Sequence, residues 1–282
     1  RHSSAIDIAD ASSKVGNQRL IKDAHEIGLM KKACRISAES HVEAMKFVKP
    51  GMTEQQMEAF YLYEFAKRGG RFSAYTPIVA GGENACVLHY VENSKPLLDG
   101  DLLLVDAGCE YNFYASDITR TFPVSGKFTD AQLAIYEVVL EAESKAIAAV
   151  SVNNNVMDAQ IISEKVVTQG LIDLGILKGS LDDLHAKGAF KEFYMHKIGH
   201  WLGIDVHDAG DYMEDDQFMQ FKPGMVTTIE PGIYIPSSAN VDDKWKGIGI
   251  RIEDDILVTP DGNENLTEFV PSNPKEIEAL MA

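Results

Sequence analysis

Residues 102–124, L-L-L-V-D-A-G-C-E-Y-N-F-Y-A-S-D-I-T-R-T-F-P-V, constrain the chain more than any other stretch. The pattern predicts two strands joined by a tight turn, with Asp106 interrupting an apolar run and Asp117 on the return strand. Across such a hairpin two carboxylates near one end can face each other. A buried carboxylate is costly unless it is paired or bound to a metal, so the pair calls for a shared cation or a capping role. Three further polar residues stand in apolar, strand-like settings downstream: His200, Glu230 and Glu253.

At 282 residues the chain fits one large α/β or α+β unit, and 45% hydrophobic residues provide an ample core. A formal charge of −17 argues against nucleic acid and anionic membranes as partners. Cys34, Cys86 and Cys109 are odd in number and lack C-x-x-C spacing, which reads as reduced thiols in a cytoplasmic protein. Cys109 is read as a small buried residue, with a soft metal ligand as the alternative. No apolar run has the length of a membrane helix, and the opening Arg1 reads as a fragment or trimmed chain.

Residues 1–20 lack periodicity and are expected to be a linker or arm. Capping-box patterns at Asp23/Glu26, Thr53/Gln56 and Thr129/Gln132 predict helices to about Val48, Gly69 and Val150. Another helix is expected from Val156 to Leu174 and a short one at the C-terminus. Strand is expected near Tyr75 to Val79, and residues 224–236 and 247–259 each read as a strand pair. Helices followed by a carboxylate-bearing hairpin occur once in each half. That echo predicts a duplicated, pseudo-symmetric domain with its site between the halves.

Asp106, Asp117, His200, Glu230 and Glu253 form an oxygen-rich donor set suited to Mn²⁺, Co²⁺, Fe²⁺ or Zn²⁺. Two such cations about 3.5 Å apart would activate water and polarise a carbonyl, so the chemistry expected is hydrolysis by metal-bound hydroxide. Each residue also has a plainer reading: Asp106 as a turn cap, His200 as a core histidine, Glu253 in a solvated acidic run with Asp254 and Asp255.

The motifs V-D-A-G-C-E-Y, D-I-T-R-T-F-P, H-K-I-G-H-W-L-G-I-D-V-H-D, T-I-E-P-G-I-Y-I and G-I-G-I-R-I-E-D-D resemble the creatinase/prolidase/methionine-aminopeptidase superfamily. Within it they are most similar to the catalytic domain of the bacterial aminopeptidase P (Xaa-Pro aminopeptidase) branch, from about Ile21 onward. The resemblance implies a pseudo-symmetric α/β "pita-bread" fold, a curved mixed sheet flanked by helices, with residues 21–282 as the catalytic domain. It implies two divalent ions, usually Mn²⁺: Asp106 on one, Asp117 and Glu253 bridging, His200 and Glu230 completing the second. Glu230 would also accept a proton from water. His89 and His207 would donate hydrogen bonds to the scissile carbonyl, and His196, Tyr234 and Arg251 would face the leaving-group side. Arg251 has a salt-bridge reading too.

The implied activity is release of an N-terminal residue from peptides with proline second. Prolidase is the same-fold alternative and a non-catalytic binding module of this fold the minor one; methionine aminopeptidase fits H-x-x-x-H-W and R-I-E-D-D less well. Family members of this type carry an N-terminal domain that walls part of the cleft and helps oligomerisation. It is expected to be absent from this chain, and a homo-oligomer, dimer or tetramer, is a further expectation.

Overall fold

The computed structural model describes residues 10–282. Helices α1 (Ser12–Leu20), α2 (Ala24–Phe47) and α3 (Glu54–Arg68) open the chain. Strands β1 (Phe72–Ser73), β2 (Ile78–Gly81), β3 (Leu102–Asp106), β4 (Cys109–Tyr111), β5 (Tyr114–Ala115) and β6 (Thr119–Pro123) follow. Then come α4 (Asp130–Ala149), α5 (Val156–Asp173) and α6 (Leu181–Ala186). The last part holds β7 (Met213–Glu214), β8 (Gln217–Phe218), β9 (Val226–Ile229), β10 (Gly232–Ile235), β11 (Ile248–Arg251), β12 (Asp254–Thr259), β13 (Gly262–Asn265) and α7 (Pro274–Met281).

The helix starts follow local chemistry. Asp23, Thr53 and Thr129 each accept from the backbone of the third helical residue, whose side chain returns the bond, as the capping-box patterns predict. Helix α3 stops where Gly69 takes the left-handed conformation, φ 97°. The linker or arm reading covers residues 1–9, which lie outside the described residues, and residues that fold into α1. That helix is held by polar contacts: Ser13 Oγ and Asn17 Nδ2 donate to Asp211 Oδ2 at 2.5 and 2.9 Å.

The 102–124 hairpin is longer-ranged than one tight turn. Strand β3 pairs antiparallel with β6, setting Asp106 opposite Thr119, and a second small hairpin, β4–β5, is nested between them. Its turn uses Asn112 and Phe113 at positive φ. Tyr75 lies outside the strand expected around it, which runs instead as β2.

The two later stretches pair with each other instead of each closing as its own hairpin. Strand β9 pairs with β12 and β10 with β11, all antiparallel. The resulting long ribbon is interrupted on both sides at one level, at Glu230-Pro231 and Ile252-Glu253. Pro231 has no N–H to continue the ladder, and Ile252 N reaches Pro231 O at 3.3 Å. Among the described residues every ladder is antiparallel.

The halves are bolted by one isolated bridge, Thr119 to Glu253, and by Arg120. The Arg120 guanidinium is fully buried, donating from Nη2 to Asp254 Oδ1 at 2.6 Å and from Nη1 to Glu253 O at 2.7 Å. Asp254 and Asp255 are therefore buried, which corrects the reading of residues 253–255 as a solvated acidic run. Glu143 lies beside this pair, its carboxyl pushed well above the usual range by burial and by Asp254. Arg120→Met removes the cation from two buried acids and is expected to destabilise by about 3–5 kcal/mol in urea unfolding.

Candidate metal centre and active site

Strand ends place the acids. Asp106 closes β3, Asp117 lies two residues before the start of β6, and Glu230 and Glu253 sit at the two breaks of the long ribbon. Tyr75 Oη lies 2.6 Å from Asp106 Oδ1 and 2.5 Å from Asp117 Oδ1. A phenol carries one proton, so it serves only one of these oxygens; the other requires a proton or a cation. Asp117, His200 and Glu253 each offer a ligand atom, all within 4.8 Å of one another. Glu230 Oε1 is 3.7 Å from His200 Nε2, bringing the fourth carboxylate to the same spot.

His200 is oriented by its backbone neighbour. Nδ1 donates to Trp201 O at 3.0 Å, which turns Nε2 toward Asp117 Oδ2, 3.3 Å away. That arrangement is how metal-ligating histidines are commonly held. His196 is fixed in the same way, Nδ1 to Lys197 O at 2.8 Å. Its Nε2 accepts from Tyr234 Oη at 2.8 Å; Tyr234 Oη accepts from Arg251 Nη1 at 3.0 Å; and Arg251 Nη2 donates to Asp106 Oδ2 at 2.7 Å. Arg251 is thus a salt-bridge partner of an acid in the site.

The electrostatics test whether this donor set suits divalent cations. Without a cation to share, burial and then the charge of Asp106 push Asp117 up to about 6. Burial lifts Glu230 to about 7 against the help of His200 and Arg251. Glu253 is driven well above the usual range by burial, Asp117 and Glu230. His200 is raised to about 9: burial opposes its charge, but the hydrogen bond and charge of Asp117 outweigh it. Four carboxylates face one guanidinium and one imidazole, all oxygen and nitrogen donors with no thiolate. This excess buried negative charge fits hard divalent cations. Cys109 is buried with Sγ on Ala33 O, away from the site.

A cleft of about 630 Å³ opens over these groups, a volume ordinary for small-ligand sites. It is lined by Asp106, Asp117, His200, Glu230, Arg251 and Glu253, and also by His89, His196 and His207. Tyr234 lies fully buried beneath it, reaching the cleft through His196. His207 stacks edge-on against His200, ring centroids 4.3 Å apart. Burial and the neighbouring His200 lower the His207 pKa, and burial with Arg251 holds His196 near 4, so both are neutral at pH 7.

Four supporting residues escaped the sequence reading. Tyr75 sits between two acids. Thr119 Oγ1 donates to Glu253 Oε2 at 2.5 Å and accepts from Arg251 Nε at 3.1 Å. Asp255 Oδ2 accepts from Asp117 N at 3.0 Å, tying one ligand's backbone to the other half. Arg120 anchors Glu253 through its carbonyl. The D-I-T-R-T string carried two of these, but nothing in its pattern assigned them partners.

A carboxyl with a raised folded pKa binds its proton more tightly folded than unfolded. Its stabilisation is present below the unfolded value and lost as pH rises through the folded one. For Asp117 and Glu230 that window runs from their ordinary 3.8 and 4.5 to about 6 and about 7. His200, raised from 6.5 to about 9, loses its contribution as pH rises through that higher range. Chelator-stripped protein is expected to lose thermal stability across this span. A divalent cation at a hundred times its Kd should restore about 2.7 kcal/mol at pH 7. A melting temperature insensitive to the cation at every pH would contradict the site.

Residues 28–260 match metallopeptidase family M24. The chain is 50% identical over 275 residues to the Xaa-Pro aminopeptidase of Haemophilus influenzae, covering 98% of this chain and 64% of that protein. It is 48% identical over 267 residues to the Xaa-Pro aminopeptidase of Escherichia coli, covering 95% of this chain and 60% of that protein. The structure of Pseudomonas aeruginosa aminopeptidase PepP superposes with a TM-score of 0.94 at 49% identity, covering 95% of this chain and 61% of that one. Zinc-substituted E. coli aminopeptidase P in complex with product gives 0.94 at 47% identity, covering 96% and 62%. The chain thus spans less than two thirds of the length of these relatives, and over that span it has their pita-bread fold. With its buried carboxylates and His200 gathered on one cleft, the chain belongs to metallopeptidase family M24.

Proposed function

We propose that residues 21–282 form the catalytic unit of an exopeptidase that releases the N-terminal residue of peptides whose second residue is proline. The observation that carries this reading is the convergence of Asp106, Asp117, His200, Glu230 and Glu253 beneath a cleft walled by three neutral or exposed histidines. The names of the relatives that share this stretch at 48–50% identity support the proline-directed branch. Asp106, Asp117, Glu230, Glu253 and His200 Nε2 would hold two divalent ions, for which Mn²⁺ suits the oxygen-rich donors; Co²⁺, Zn²⁺ and Fe²⁺ fit less selectively. Such ions, when bound, polarise a carbonyl and lower the pKa of water.

The side chains do the rest. Glu230, at the break of the ribbon, takes a proton from the attacking water and returns it to the departing prolyl nitrogen, which has no hydrogen of its own. His207 and His89 aim donors at the scissile carbonyl, where negative charge develops. The His196–Tyr234–Arg251 chain holds the leaving-group side and, through Asp106, ties it to the metal ligands. Three free cysteines suit a reducing, cytoplasmic setting.

Hydrolysis of an Arg-Pro-Pro peptide by chelator-stripped protein, with and without Mn²⁺, tests this reading. Restored release of arginine is expected. Cleavage of Arg-Pro dipeptide alone would favour prolidase, and no cleavage would favour a binding module. Asp117→Asn and Glu253→Gln should abolish turnover, and His207→Ala should lower kcat by about 10²–10³. Full activity in either carboxylate variant would sink the metal assignment.

A further inference from the structure

Glu54, the first residue of α3, is completely buried and is not among the residues that line the cleft. Its carboxylate is satisfied by four donors. Oε1 accepts from Gly81 N and Asn84 Nδ2, both at 2.8 Å. Oε2 accepts from Tyr90 Oη and Lys95 N, both at 2.8 Å. Two donors per oxygen fill its lone-pair sites, and the helix N-terminus favours its charge. The backbone joins in, Glu54 N donating to Lys95 O at 2.9 Å.

All four donors lie between residues 81 and 95. Past the end of β2 this strap has one short 3₁₀ turn, Gly82–Cys86, and no strand ladder. It carries Leu88, His89 and Val91 to the cleft wall. His89 is exposed on a turn, so its place depends on the backbone that carries it, and its neighbour Tyr90 is one of the residues Glu54 grips. Asn93 adds a second tie, donating to Pro77 O at 2.8 Å and accepting from Val79 N at 3.0 Å. Those bonds tie Asn93 to β2 and the residue before it, while Glu54 holds the strap at both ends and at Asn84 and Tyr90 between them.

We infer that Glu54 is a positioning residue for His89, acting through the 82–95 strap. A carboxylate is required for a specific reason. Tyr90 and Asn84 can reorient to face an amide, but Gly81 N and Lys95 N are backbone donors, one on each oxygen. Glu54→Gln therefore leaves one backbone N–H opposed to an NH₂ whichever way the amide is turned, and an unmet buried donor is costly. Tyr90→Phe removes one donor yet leaves both backbone N–H groups satisfied.

The activity arm of the test rests on the role proposed for His89; the exchange arm does not. In hydrogen exchange of the Mn²⁺-loaded chain, Glu54→Gln is expected to speed exchange within 82–95 by about tenfold or more, with β3 and β6 as protected as in the parent. Tyr90→Phe should have a smaller effect in the same place. On an Xaa-Pro-Xaa peptide, Glu54→Gln should lower kcat by about 10- to 100-fold with Mn²⁺ affinity unchanged. In a His89→Ala background it should lower kcat no further, the non-additivity expected of a residue acting through another. Unchanged exchange in 82–95, or an undiminished loss in the His89→Ala background, would overturn the inference. A parent chain that cleaves nothing would instead refute the proposed activity, and exchange would still decide the role of Glu54 in holding the strap.

Discussion

Four carboxylates held around one imidazole repel one another, and only a framework that cannot relax keeps them together. Here the framework is an alternation along two strands from opposite halves of the chain. On one, Asp117 and Thr119 face the site while Arg120 faces away, into Asp254 and the Glu253 carbonyl. On the other, Glu253 faces the site while Asp254 takes Arg120 and Asp255 takes the Asp117 backbone. Successive residues in extended chain point to opposite faces, so Arg120 and Asp254 meet on the side away from the site, while Asp255, on the same side as Glu253, holds the Asp117 backbone. The ligands hold their geometry because their immediate neighbours bolt the halves together.

The repulsion has chemical consequences. With burial raising three of the carboxyls and Asp117 stabilising His200 as a cation, the cluster retains protons at neutral pH that divalent ions would displace. Backbone carbonyls fix the other proton positions. Trp201 O and Lys197 O each take an Nδ1 hydrogen, so His200 and His196 both present Nε2, one toward the acids and one toward Tyr234. Arg251 serves two ends of the site at once, which explains why its salt bridge and its place in the cleft are compatible.

What was legible in the sequence was local or anomalous. Capping boxes are three-residue events, and Asp23, Thr53 and Thr129 start helices as their neighbours dictate. Asp106, Asp117, His200, Glu230 and Glu253 stood out because a polar group in an apolar run needs a reason, and the cleft gathers all five. Illegible features depended on distant partners. The interleaved pairing of β9 with β12 and β10 with β11 cannot be told from two hairpins by composition. Asp254 and Asp255 looked solvated because Arg120 and Asp117 lie far away in sequence. Tyr75 looked like a strand aromatic, its hydroxyl meeting Asp106 and Asp117 only in the fold. Helix α1 escaped because a single apolar residue, Leu20, anchors it in the core, and its other ties run to distant acids, Asp205, Asp208 and Asp211.

The most direct test of the central claim is proton release. Mn²⁺ titrated into unbuffered, chelator-stripped protein at pH 7 should expel protons from His200 and from the raised carboxyls as the cation takes their place. More than one proton per chain is the expected result, falling in Asp117→Asn, which loses the group that holds His200 charged. Mn²⁺ binding with no proton released would mean the acids are already ionised and separately solvated, and that mutual repulsion does not organise the site.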